Sequence, residues 1–205
     1  MIFHAAWRIM SVFILITMLV MDTCVPVTYA AVHGAAREVF VCKNVIAKVR
    51  DTRVAASMVA KHYQFSSVTF NALISQESAW DPFALSTVRV RKTFDEKGFI
   101  VWDFIKAPGY SARGLGQVRP STVAQKLREK APSDDRLKAI DRLLINEKTN
   151  LCWSGLIFRD AIAGCPLPND DAVTACALAS YYSGEGTGDY ITSVFARREP
   201  TAFNQ

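Results

Sequence analysis

The chain has 205 residues, 50% of them apolar and 21% charged, which is enough for one well-buried domain and too little for two comfortable ones. Its formal net charge of +5 suits an acidic partner, such as nucleic acid, an anionic lipid surface or the peptide carboxylates of a bacterial cell wall. No lysine and arginine stripe interleaved with aromatics occurs, so nucleic acid is not the expected partner.

The first segment, "MIFHAAWRIMSVFILITMLVMDTCVPVTYAAV", carries His4 and Arg8, a mostly apolar run from Ile9 to Met21, and "TYA" as a small-residue cleavage site after Ala30. Residues 1–30 read as a secretory signal peptide, because the run is shorter than the roughly 20 residues a membrane span needs. Arg8 and Asp22 cancel, so the mature chain keeps the whole net charge. Cys24, preceded by "MDT", makes a poor lipid-attachment site. The expected location is periplasmic or otherwise extracytoplasmic. Cys42, Cys152, Cys165 and Cys176 remain after cleavage, an even count that implies two disulfides in an oxidising compartment. Three connectivities satisfy that count. Cys42 with Cys152 and Cys165 with Cys176 is the favoured one, because Cys165 falls in an interhelical turn and Cys176 under two turns into the next helix. Metal binding has little support: there is no C-x-x-C spacing, and the mature histidines are His33 and His62 alone. No cofactor is expected.

Beyond the leader, "REVFVCKNVIAKVRDTRVAASMVAKHY" reads as helical material without glycine or proline. "SSVTFNALISQES" is the next helix, with Ser66 or Ser67 as N-cap and a stop at Asp81-Pro82, since the residue before proline avoids the helical region. From Thr87 to Tyr110 a hairpin is expected: Val88 and Val90 alternate with Arg89 and Arg91, "DEKG" turns, and Phe99 to Trp102 returns. "SARGLGQVRPST" is a glycine-punctuated loop before a helix marked by Pro120, Ser121 and Thr122. "SDDRLKAIDRLL", "NLCWSGLIFRDAIAG" and "NDDAVTACALASYYSG" give three more helices, and "GDYITSVFARRE" a shorter last one. No internal repeat or linker interrupts them. The expectation is a single mainly helical domain over residues 31–205 with one small inserted β-hairpin at 87–110.

One residue stands out against this pattern. At about 100° per residue, Phe70, Leu73 and Ile74 share a helix face, and Glu77 projects near the middle of it. Burying an unpaired carboxylate costs several kcal/mol. Glu77 must therefore lie at the open end of the stripe, find a partner, or keep its proton. Nucleophile chemistry is not supported elsewhere. "GYSARG" has its glycines one residue too far apart for a nucleophile elbow, the cysteines are expected to be paired, and "SGEGTG" follows a helix and lacks the lysine of a phosphate loop.

"ESAWDPFALS", "SARGLGQVRPST", "NLCWSG" and "ALASYYSGEG" occur in the order and approximate spacing of the four motifs of the soluble lytic transglycosylase (SLT) family, and from about Phe40 to Arg198 the chain resembles it. That resemblance implies a lysozyme-like fold and cleavage of peptidoglycan between N-acetylmuramic acid and N-acetylglucosamine, with release of a 1,6-anhydro sugar and no consumption of water. It places Glu77 at the catalytic glutamate and makes Ser78, Gly116, Gln117 and Tyr181 candidate substrate-binding residues. A glutamate walled by apolar groups can give a proton to the leaving oxygen and, as carboxylate, take one from the muramyl C6 hydroxyl.

Departures from the family pattern accompany the likeness. Gly116 replaces the methionine of G-L-M-Q, Tyr182 the asparagine of "YNAG", and "NLCWSG" holds one residue more than the usual "NI..G". The 87–110 hairpin stands where relatives have a short link, as a decorated surface loop or a cover for the groove. Asp81, Glu185 and Asp189 are conceivable second carboxylates, explained more cheaply by capping and solvation. A water-using muramidase and a non-catalytic peptidoglycan-binding component are the rival readings. The Tyr-Tyr-Ser-Gly end and the cysteine placement are similar to those of small transglycosylases that accompany type IV secretion and conjugation systems. The implied partners are peptidoglycan glycan strands and an envelope-spanning secretion complex.

Overall fold

The computed structural model describes residues 26–86, 88–94, 97, 100–105, 109–167, 169–182 and 187–198. Its elements are α1 (Pro26–Val45), α2 (Thr52–His62), α3 (Ser67–Ser78), β1 (Val88–Phe94), β2 (Ile100–Ile105), α4 (Pro120–Lys126), α5 (Asp134–Leu144), α6 (Glu147–Ala163), α7 (Asp170–Tyr182) and α8 (Thr187–Arg198). The architecture is mainly helical, as a lysozyme-like fold requires. The apolar leader from residue 1 to 25 lies outside the described residues, and the expected cleavage point after Ala30 falls inside α1. Among the described residues no helix is long and apolar enough to cross a membrane.

Helix α6 is the axle. Every residue from Thr149 to Leu156 is buried, as is Phe158, because α1, α2, α5 and α7 pack around it. Gly155 lets α2 approach closely: a Cβ there would stand 2.5 Å from Val59 Cγ1 and 2.8 Å from the Tyr63 ring. Phe65, Phe70 and Phe158 form a connected aromatic cluster with Tyr181 at its edge. The favoured disulfides are present. Cys42–Cys152 ties α1 to the axle across 110 residues of sequence, and Cys165–Cys176 fastens the α6–α7 turn.

Capping explains most helix starts: the side chains of Asp51, Ser66, Ser133 and Asn146 each accept a backbone N–H in the first turn of the helix they precede. One boundary differs from expectation, and the end of the Glu77 helix, at its expected residue, has a cause other than the proline. The long stretch from Arg37 to Tyr63 is broken after Val45, where a turn buries Ile46 and Asp51 restarts the helix by accepting from the N–H groups of Arg53 and Val54. The helix bearing Glu77 ends at Ser78, before Asp81-Pro82, because Ala79 and Trp80 turn into the left-handed region at φ 52° and 68°.

The hairpin is antiparallel, pairing Val88 with Ile105 through Phe94 with Ile100, with a register irregularity between Arg89 and Arg91. Thr87 and Phe99 lie outside the described residues. Its base is strapped to the glycine loop: the Ser86 N–H donates to the Ala112 carbonyl at 3.0 Å, and the Ala112 N–H donates to Ser86 Oγ at 2.9 Å.

Candidate active site

Helix α3 delivers Glu77. Phe70, Leu73 and Ile74 are fully buried, as the stripe demands, and α3 stops one residue after Glu77. The carboxyl therefore emerges where the stripe opens into a cleft of about 730 Å³. Of the three outcomes open to a carboxylate on an apolar face, Glu77 takes all three in part: it sits at the open end, it has a partner, and it tends to keep its proton. Burial pushes its pKa up from the usual 4.5 to about 7, against the opposing effect of a hydrogen bond donated by Tyr190.

Tyr190 comes from α8, which packs along α3. Its ring is stacked on Tyr182, with centroids 4.3 Å apart, and its hydroxyl donates to Glu77 Oε1. Ser193, one turn on, donates to Gln76 Oε1 at 2.7 Å and fixes the same pair of helices. Burial first, and then the charge of Glu77, hold the hydroxyls of Tyr190 and Tyr181 above the ordinary tyrosine range, so both remain donors.

The opposite wall is the glycine loop. Arg113 and Val118 exchange backbone hydrogen bonds at 3.1 Å and close a four-residue turn whose extremes are Gly114 at φ 72° and Gln117 at φ 47°. Asn150, buried in α6, is its anchor: Nδ2 donates to the carbonyls of Arg113 (2.7 Å) and Leu144 (3.2 Å), while Oδ1 accepts from the Gly116 N–H (2.9 Å). The Arg113 guanidinium adds a two-pronged pair with the buried Asp141 carboxylate, at 2.7 and 2.9 Å. Gln117, which lines the cleft, donates from Nε2 back to the Gly114 carbonyl at 2.9 Å.

The five residues singled out in the sequence fall into two groups. Glu77, Gln117 and Tyr181 line the cleft together, and the Tyr181 hydroxyl donates to the Gly116 carbonyl at 2.7 Å. Ser78 and Gly116 stand behind it. The Ser78 hydroxyl donates to the Ile74 carbonyl in its own helix at 3.2 Å. Gly116 is buried, and a Cβ there would point at α6, 1.9 Å from Ser154 Oγ and 2.6 Å from Ser154 Cβ. Two departures from the family pattern are thus one contact. The side chain at 154, where "NI..G" has its glycine, occupies the space that a side chain at 116 would need. Of the conceivable second carboxylates, Asp81 accepts from the Phe83 N–H, Asp189 is exposed at the cleft, and Glu185 lies outside the described residues.

Sequence reading did not single out Tyr190, Asn150, Asp141 or Arg119. The Asn150 role was hinted at by an asparagine inside an apolar helix; Tyr190, four residues from Val194, reads like a core aromatic. Among the described residues no group of three His, Cys, Asp or Glu side chains could hold a metal ion.

Comparison with known families gives one match: residues 55–199 fit the Transglycosylase SLT domain. No curated protein and no solved structure matches the chain.

Proposed function

Starting from a chain that belongs to the transglycosylase SLT domain family, whose members act on peptidoglycan, we propose that this protein is a peptidoglycan lytic transglycosylase with Glu77 as its sole acid and base. The observation that carries the reading is the Glu77 carboxyl, held at the mouth of an apolar stripe with its pKa raised to about 7 by burial and with a tyrosine donor on one oxygen. With Oε1 accepting from Tyr190, the acid proton belongs on Oε2.

In the first step Glu77 gives this proton to the glycosidic oxygen, and the bond from the muramyl C1 to that oxygen breaks as positive charge develops on the ring. The substrate's own N-acetyl group can shield that charge in place of a second carboxylate. In the second step the muramyl C6 hydroxyl attacks C1, and the Glu77 carboxylate takes its proton. The 1,6-anhydro ring closes, Glu77 is protonated again, and no water is consumed. The Tyr190 donor stabilises the carboxylate between the two steps. Gln117, held in a left-handed backbone conformation by the Asn150-anchored loop, offers a fixed amide oxygen to sugar hydroxyls or acetamido N–H groups. The two disulfides and the apolar leader support action outside the cytoplasm, and the Tyr181-Tyr182 end supports service to an envelope-spanning secretion or conjugation complex.

The test is mass spectrometry of muropeptides after the mature chain is incubated with sacculi. Anhydro-muramyl ends from the wild type and none from Glu77→Gln, at unchanged fold, support the reading. Reducing ends would make the protein a water-using muramidase. Undiminished cleavage by Glu77→Gln would remove Glu77 from the chemistry.

A further inference from the structure

Arg119 is the one cation among the described residues that line the cleft. It sits at the solvent side, exposed, on the wall formed by the glycine loop. Among the described residues its guanidinium has no ion pair, although Glu77 and Asp189 line the same cleft. The guanidinium two turns of chain away behaves differently: Arg113 is spent on Asp141. The backbone under Arg119 is fixed on both sides. Val118 before it is locked to Arg113 by two hydrogen bonds, Pro120 after it restricts it to the extended conformation seen (φ −82°, ψ 135°), and its carbonyl accepts from the N–H groups of Thr122 and Val123.

A guanidinium with no ion pair among the described residues, on a fixed backbone beside a cleft whose other described charged residues are carboxylic acids, is suited to a planar anion brought by the ligand. We infer that Arg119 is a specificity residue that pairs with a carboxylate of the peptide carried by the substrate strand. This rests on the reading of the cleft as a glycan groove. When the glycosidic oxygen lies at Glu77, the muramyl ring beside it bears its lactyl arm, and in intact wall that arm continues into a peptide that ends in free carboxylates. Arg119 lines the same cleft as Glu77 and is exposed, so a carboxylate on that arm has a cation within the groove to pair with. The ring itself is neutral and needs no cation. Arg119 therefore selects strands with free peptide carboxylates over strands in which those carboxylates are amidated.

The experiment measures binding to Glu77→Gln protein, which does not consume its ligand, with and without Arg119→Met. Three probes are used: glycan strands with free peptide carboxylates, the same strands with those carboxylates amidated, and neutral chitin oligomers. The expected result is a loss of about fivefold on the first probe, the upper end for a solvent-exposed ion pair, and less than twofold on the other two. Arg119→Lys recovers part of the loss, and 1 M salt erases the difference because screening shortens to about 3 Å. Thermal melts of the variants coincide with the parent. Equal losses on all three probes, or none on the first, overturn the inference while the glycan reading stands. If the parent binds none of the probes, the glycan reading fails and this inference falls with it.

Discussion

Glutamine at position 77 should stabilise the protein in a pH-dependent way. The glutamate keeps its proton up to about pH 7 in the folded chain, against 4.5 for an ordinary glutamate. Between these values the folded protein binds more protons than the unfolded one, so wild-type stability falls as pH rises across that window and levels off above it. At roughly 1.4 kcal/mol per pH unit the whole displacement is worth about 3 kcal/mol. Glutamine has the same shape, can accept the Tyr190 hydrogen bond and does not ionise. The two proteins should therefore melt together near pH 4, and at pH 8 the glutamine variant should be the more stable by about 3 kcal/mol, or roughly 6–12 °C in Tm for a domain of this size. Calorimetric or circular-dichroism melts in matched buffers from pH 4 to 8 give the answer. Parallel curves over that range would mean that Glu77 is not desolvated in the folded state, and the physical basis of its acid role would go with it.

Three further outcomes follow. Tyr190→Phe removes a donor that favours the carboxylate, so the alkaline limb of the pH–rate profile should move to higher pH while the maximal rate falls about tenfold; an unmoved limb would show that the hydrogen bond does not reach the reacting carboxyl. Gly116→Ala should cost about 1–3 kcal/mol through its collision with Ser154, and adding Ser154→Gly should restore most of it in a double-mutant cycle; additive losses would refute the coupling. Replacing Cys42 and Cys152 by serine should lower the denaturant midpoint more than replacing Cys165 and Cys176, since the loops closed span 110 and 11 residues and the chain-entropy scale puts such bridges at about 2–5 kcal/mol.

What the sequence discloses here is what acts locally. Glu77 is conspicuous because a charge interrupts a helical stripe, and the helices are marked by their caps and glycines. The cause of the boundary after Ser78 is not, because proline two residues past Trp80 is the stronger textual signal while the chain turns at Ala79, a residue with no special liking for the left-handed region. The break at Ile46 is equally silent: no glycine or proline marks it, and Asp51 declares itself a cap only once the turn exists. At the site, Tyr190 reaches Glu77 across 113 residues, and its own neighbourhood in sequence is that of any buried tyrosine. Gly116 and Ser154 look like independent departures from a family pattern until their separation is known. Asn150, placed inside an apolar helix, advertised an unusual duty without naming its partners in the glycine loop.

The residues in left-handed backbone conformations include Ala79, Trp80 and Gln117, the first two just past the end of the helix that bears Glu77 and the third on the glycine loop that lines the cleft. None is glycine, and such conformations cost an L-residue on the order of 1 kcal/mol each. A laboratory lineage selected for heat tolerance alone should therefore drift toward glycine at Ala79 and Gln117 but not at Trp80, whose ring packs against the core and under Arg53. It would lose definition of the corner that aims the carboxyl and of the loop that faces it.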